Sequence, residues 1–547
     1  MKGTRLRAPS SDGGLLATPP LDQAASLVDA NVARASSWDH DFQGRPASWL
    51  RGLVRRQAVE EARLFLKSLG IEPTAPTDAE DGNLDGLVVT GHQPELFHPG
   101  VWVKNFAAAG IAARAGTSAL NLIIDDDIPK SASIRVPHRE DGRLALRRIE
   151  FDRWEGEAPY EDLPVRDEAV FASFGDRVRD GLGGLIADPL IDHFWPELAR
   201  YSESGLTLGL RMAAARRRIE ASWGVSNLEV PFSRLCQTEG FHWFTSHLLA
   251  ELPRFQVIHN QALWEYRRLY GIRSKNHPVS ALKAEGDWLE APFWVWRAGR
   301  PRRRPLMVRQ DGPTMLLKIA EELEPFLELP LAPGREACCA VERLMELSAT
   351  DVRLRTRALT TTMFSRFLLS DLFIHGIGGA KYDELGDVVA SRFFGASPPS
   401  FLTLSLTSWL GLPESPASVE GLFALEREIR GLEYNPDRHL PQSATVEEQD
   451  LVAEKRRIIA ENPVDPRERR DRFRKIRSIN ERLHPLVADR IQLLREERVR
   501  MVHELDENRT ARSREYSLVL HSHARLRQVM LGIANPLLQP AAEAVES

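Results

Sequence analysis

At 547 residues, with 43% hydrophobic and 27% charged side chains, the chain has a globular composition and is too long for one compact core, which predicts two or three domains. Its 72 basic and 77 acidic residues leave a formal charge of −5, too near balance to mark a nucleic-acid binder or a protein held on an anionic membrane. Three cysteines, Cys236, Cys338 and Cys339, exclude a disulfide framework and predict a reducing, cytoplasmic setting.

The first residues lack the apolar core of a secretory signal, and no later run is long enough to span a bilayer. Residues 1–20, rich in Ser, Gly and Pro, predict a disordered or loosely draped start. From Leu21 to Gly70 the pattern is helical, with Ala58, Ala62, Phe65 and Leu69 on one face, and a loop follows over 74–86. Leu87–Thr90 and Ala119–Ile124 are short apolar runs, as expected of strands buried on both faces of a parallel sheet. Between them a polar loop precedes a helix over Val101–Ala115, which completes a βαβ unit with ligands expected at the carboxyl ends of its strands.

Further along, Phe255–Asn260 and the aromatic run Asp287–Gly299 read as strands, followed by a basic turn and strand. Trp288, Phe293, Trp294 and Trp296 read as core residues of such a strand, or as a stacking surface for a flat ring. Ala320–Leu327 and Arg335–Leu347 read as helices, which makes Cys338 and Cys339 small core residues. Leu359–Gly395 carries an apolar helix, a short strand, a glycine loop and another helix.

Beyond about Pro413 the composition shifts to Glu, Arg and Leu. Leu422, Leu425, Ile429 and Leu432 are spaced as a heptad seam, and Phe473, Ile476, Ile479, Leu483 and Leu486 continue it. A turn at Asp506–Thr510 and a returning helix over Ser513–Leu531 complete the pattern. The predicted organisation is a draped start (1–20), an α/β body with helical insertions (21–412) and an antiparallel coiled-coil arm (413–547), whose mixed charges form a solvated face.

Three clusters carry candidate chemistry. Gly91, His92, Gln93, Glu95, His98 and Gly100 form the loop between strand and helix, with Lys104 and Asn105 in the helix's first turns. Exposed amides at a helix start favour an anion, and Lys104 would add a full positive charge; an ordinary loop with capping histidines is the alternative. Asp125, Asp126 and Asp127 end the second strand, with Lys130 beside them. Adjacent carboxylates repel unless a cation or donor offsets them, so a metal, ribose hydroxyls or an amine would each fit, as would a plain turn or helix cap. His375, Gly376, Gly378, Gly379, Lys381 and Tyr382 form a glycine loop opening a helix, a phosphate cradle or simply a tight turn. No metal ligand set is assigned.

The segment VVTGHQPELFHPGVWVKNF, followed by a strand with acidic residues, resembles the bacillithiol-synthesis cysteine-adding family, BshC. FIHGIGGAKYDELGDVVASRFFG resembles that family's second glycine loop, and the order of the remaining segments is similar. Gly91, Gln93, Leu96 and Phe97 match the first loop, and Gly376, Gly378 and Tyr382 the second. His92 and Glu95 depart from the family's Gln and Gly, and the family's histidine is missing from the run Asp125–Ile128. The HQP loop and the Asp-Asp strand end also resemble the WbqC-like family of polysaccharide clusters.

The first resemblance implies a Rossmann-like, nucleotidyltransferase-type core with helical connecting segments, a coiled coil used in dimerisation, and a nucleotide such as ATP or ADP ahead of magnesium. The activity expected is a transferase or ligase joining an amine- or thiol-bearing metabolite such as cysteine to a sugar-type acceptor. His92 or an aspartate of 125–127 would be its base. A metal-dependent sugar or nucleotidyl transferase and a non-catalytic ligand-binding scaffold are the alternatives.

Overall fold

The computed structural model describes residues 6–72, 86–273, 279–440, 442 and 444–538. Of the loop expected over 74–86, only Gly86 falls among them. The chain divides into a body, residues 1–138, 146–410 and 514–547, and a second unit, residues 139–145 and 411–513.

Six strands form the body's main sheet: β1 (Leu15–Thr18), β2 (Leu87–His92), β3 (Ser118–Ile123), β4 (Leu228–Pro231), β5 (Leu372–His375) and β6 (Phe401–Leu406), in the order β1-β6-β5-β2-β3-β4. The five strands from β6 to β4 run parallel, and β1 closes one edge antiparallel to β6. Leu87, Val88, Val89, Leu120, Leu122 and Ile123 are all buried, so both faces of β2 and β3 are covered, as their unbroken apolar runs require.

The helix between them, Pro99–Arg114, buries Trp102, Val103, Phe106, Ala107, Ala108 and Ile111. A helix apolar nearly all round must be covered nearly all round. Part of its cover is the C-terminal helix His523–Leu538. A second, antiparallel sheet in the body orders Leu327–Leu329, Thr314–Ile319, Arg300–Asp311, Trp288–Arg297 and Val352–Thr356. Among the described residues, no helix is long and apolar enough to cross a membrane.

The second unit holds the helices Val419–Tyr434, Val446–Ala460, Pro466–Leu483 and Ala488–Ala511. Leu425, Ile429 and Leu432 of the first pack on Ile491 and Leu494 of the last, whereas Leu422 of the expected seam is half-buried and Phe473 of its continuation is exposed. Glu426–Arg498, Glu428–Arg490 and Glu433–Arg495 pairs line this contact. Leu451, Val452 and Ile458 pack on Ile479 and Leu483.

Several sequence expectations are corrected. Leu15–Thr18 is an ordered strand within the segment expected to be draped. Its ladder to β6 is extended by Gly13 N to Thr407 O and Thr407 N to Gly14 O, both 2.9 Å. Phe255–Asn260 lies inside the helix Leu252–Tyr270, whose buried Phe255, His259, Ala262, Leu263 and Tyr266 keep helical spacing. Ala320–Leu327 is a turn leading into the strand Leu327–Leu329 rather than a helix. Cys236 is buried, but Cys338 is half-buried and Cys339 exposed. No turn interrupts Asp506–Thr510, since the helix runs on to Ala511. The returning helix begins at His523 and packs in the body, because Leu526, Met530 and Ala534 are buried there.

Candidate functional site

In register, Gly91 and His92 of β2 face Leu122 and Ile123 of β3, and Thr90 faces Ile374 of β5. The Gly91–Gly100, Asp125–Lys130 and Gly376–Tyr382 segments therefore all leave the carboxyl edge of three neighbouring parallel strands. Counted outward from β2, chain order runs β3, β4 on one side and β5, β6 on the other. A reversal of this kind is where open α/β sheets bind ligands.

His92 is buried against Phe97, with ring centroids 4.5 Å apart. Its Nε2 donates to Asn105 Oδ1 (3.2 Å), whose Nδ2 donates to Glu220 Oε1 (2.7 Å). The same carboxylate oxygen accepts from Trp102 Nε1 (2.6 Å) and Arg216 (2.7 Å). Arg216 also pairs with Glu229, which accepts from Asn121 Nδ2 at 2.5 Å. Burial, with Arg216 and Lys104 nearby, holds His92 well below its ordinary pKa, so it is a neutral imidazole.

Lys104 is 4% exposed, and its ammonium donates to the Gly91 carbonyl at 2.7 Å. Burial brings its pKa down to about 7. No described carboxylate offsets the lost hydration, so burial draws Lys104 away from the full positive charge expected of it. His98 caps the helix by accepting from Gly100 N (3.1 Å), and it lies 3.9 Å from Glu515. Gly100 leaves room for its neighbours: a Cβ there would come 2.3 Å from Leu406 O.

The aspartates diverge. Asp125 accepts from Ser233 N (2.9 Å) and Ser233 Oγ (2.5 Å), yet burial and Glu161 raise its carboxyl to about 7. Asp126 is buried with no partner for Oδ1 among the described residues, and burial with Asp125, Glu161 and Asp127 pushes it well above the carboxylate range. Asp127 is half-exposed; it pairs with Arg303 (3.0 Å) and accepts from Gln93 Nε2 (2.9 Å), which joins the first two loops. Glu95 is raised by burial, against the pull of Lys130 and Tyr160. Lys130 itself is exposed.

The expected glycine loop is corrected to a strand that passes directly into a helix: His375 ends β5, buried and bonded to Asp383 (2.6 Å), and Gly378, Gly379, Lys381 and Tyr382 lie within the helix Ile377–Phe394. Gly376 caps the helix Ile377–Phe394, and Gly376 and Gly378 have nothing within 4 Å of a Cβ position. Gly379 and Lys381 are exposed and Tyr382 is half-buried. Lys104 acts electrostatically on His375, which relates this loop to the first. Trp296 is buried and donates to Asp162 (2.6 Å), whereas Trp294 is half-buried with Arg357 over its ring at 4.2 Å.

Sequence reasoning passed over Ser233, Arg303 and the buried pairs Arg216–Glu220 and Arg355–Glu161, the latter closed by bonds of 2.8 and 2.7 Å. The signal present was an Arg and a Glu four apart in a helix otherwise rich in alanine, a pattern that reads as a solvated face. No protein-family model matches this sequence, and a search of curated proteins finds no match.

Proposed function

We propose that the chain is a small-molecule transferase or ligase on a Rossmann-like core, with its site at the carboxyl edge of β2, β3 and β5. The strand order β6-β5-β2-β3-β4 supports the Rossmann-like reading, since it is the 3-2-1-4-5 order of that fold. The observation that carries the activity is electrostatic. Asp125, just past β3, is raised to about 7, while Lys104, in the helix that follows β2, is lowered to about 7. Groups drawn toward neutrality from opposite sides suit acid and base roles at physiological pH.

In this reading Lys104 takes a proton from an amine or thiol nucleophile, and protonated Asp125 or Asp126 donates one to the departing oxygen. Neutral His92 is fixed in place, with its two ring nitrogens each 3.2 Å from an oxygen, Gln93 O and Asn105 Oδ1. The amides opening Ile377–Phe394, uncapped by any side chain, suit a phosphate such as that of ATP or ADP. The resemblance to the BshC family supplies the substrate classes, an amine- or thiol-bearing metabolite and a sugar-type acceptor. The paired helices of the second unit are read as an antiparallel coiled coil through which the chain dimerises.

A thermal-shift screen of ATP, ADP, cysteine and amino-sugar conjugates, followed by mass spectrometry for a condensed product, tests the assignment. A ligand at 100 times its dissociation constant should add about 2.7 kcal/mol of stability. A screen in which no member raises the midpoint would sink this reading.

A further inference from the structure

His375 uses its two ring nitrogens differently. Nε2 lies 2.6 Å from Asp383 Oδ2. Burial alone would raise the Asp383 carboxyl, but Arg366 and His375, with the Thr362 hydroxyl at 2.7 Å, hold it below the usual carboxylate range. An ionised carboxylate only accepts, so Nε2 carries the ring proton and Nδ1 keeps its lone pair. Among the described residues Nδ1 makes no hydrogen bond, and although His375 is only 4% exposed, this atom is not fully sealed as the unpartnered Nδ1 atoms of His242 and His247 are. It borders the first turn of Ile377–Phe394, where a Cβ on Gly379 would sit 2.8 Å from it. Glycine at 379 thus leaves the lone pair uncovered, and the Cβ positions of Gly376 and Gly378 in the same turn meet nothing within 4 Å.

We propose that His375 is a general base of the candidate site, held in one tautomer by Asp383 as its positioning residue. Through Nδ1 it accepts the proton of an amine or thiol seated over the Gly376–Gly379 turn. The N–H or S–H bond breaks, its electron pair stays on the nucleophile, and an Nδ1–H bond forms. Asp383 faces the imidazolium that results, and loss of that proton to the leaving group or to water restores the ring. Arg366 and Lys104 are the cations that face it, and together with burial they keep the resting ring neutral against the pull of Asp383. This inference rests on reading the carboxyl edge as the active site, and it names a base there besides Lys104.

Carbethoxylation of the full chain with diethyl pyrocarbonate, read peptide by peptide in a mass spectrometer, tests it without any substrate. Exposed His503 serves as the internal reference. His375 should be labelled in the folded protein, since Asp383 blocks only Nε2. Gly379→Ala should slow that labelling by roughly tenfold, because its Cβ would sit 2.8 Å from Nδ1 and reagent must arrive along the lone pair. An unlabelled His375 beside a labelled His503, or equal rates in Gly379→Ala, would overturn the proposal whatever the ligand screen returns. Should the screen yield a substrate, His375→Gln should keep the ligand-induced midpoint shift and lose at least about a hundredfold in turnover, the usual worth of a general base. Unchanged turnover in that variant also overturns it.

Discussion

Lys104 places its ammonium 2.7 Å from the Gly91 carbonyl, with burial the one cause that brings its pKa to about 7. Its ordinary value is 10.5, so folding disfavours the charged form. Below pH 7 both folded and unfolded chains hold the proton, and the full cost of burying an ammonium is present. Between pH 7 and 10.5 only the unfolded chain holds it, so stability rises with pH by at most about 1.4 kcal/mol per unit. Lys104→Met should lack this rise. Urea unfolding of both proteins at pH 7, 8 and 9 checks it, and parallel stability curves would contradict a buried amine.

Asp125 predicts the opposite slope on the acid side. Its folded value is about 7 against an ordinary 3.8, so between these the folded chain holds a proton that the unfolded chain has lost. Stability should therefore fall as pH climbs through that window and level off above 7. Asp125→Asn resembles the protonated form and keeps an acceptor for Ser233 N. It should match the parent within about 1 kcal/mol near pH 4 and exceed it by a few kcal/mol at pH 7. A variant less stable at every pH would show that the ionised carboxylate is what Ser233 holds.

Two of the glycines in the candidate loops should behave differently. At Gly100 a Cβ would meet a backbone oxygen, Leu406 O, at 2.3 Å, and Arg514 Nη2 at 2.5 Å. Alanine normally improves a helix by about 1 kcal/mol over glycine, but here β6 would have to shift, a strain of about 1–3 kcal/mol. Gly100→Ala should therefore destabilise. Gly378 has open space around its Cβ position, so Gly378→Ala should be neutral or slightly stabilising. A Gly378→Ala protein that keeps its stability but loses ligand binding would assign that glycine to the site.

These contrasts mark what the sequence can convey. The unit β2, loop, helix and β3 was legible because strands covered on both faces must be continuously apolar, and their polar loops stand out against them. Phe255–Asn260 misled because six residues carry too few turns to separate period 2 from period 3.6; the stripe from Phe255 to Tyr266 was needed. The heptad seam at Leu425, Ile429 and Leu432 is local and was readable. The partner of His523–Leu538 was not, since an apolar stripe says that a face is buried and not against what. The state of Lys104 was hidden for a similar reason, because a lysine one turn into a helix reads the same whether its end reaches water or a backbone carbonyl.

The course of the C-terminal helix yields the last prediction. Ending the chain before Ser418 removes the helices of the second unit together with His523–Leu538, which covers Pro99–Arg114 in the body. Leu526, Met530 and Ala534 would be lost, and the apolar face of Pro99–Arg114 would open to water. Burying one such large side chain contributes about 1.5–3 kcal/mol, so losing the helix approaches the whole stability of an ordinary domain. The truncated chain should aggregate. Excision of residues 414–512 with a flexible linker instead keeps the helix, and the linker need not be long. Arg514 donates to Ser405 Oγ (2.9 Å) and Arg525 to the Trp409 carbonyl (3.1 Å), so the two ends meet within the body. That protein should stay soluble, unfold cooperatively and retain any ligand response of the carboxyl edge. Light scattering and thermal unfolding of the pair decide the matter, and a soluble, cooperatively folding truncation would show that His523–Leu538 is dispensable to the body.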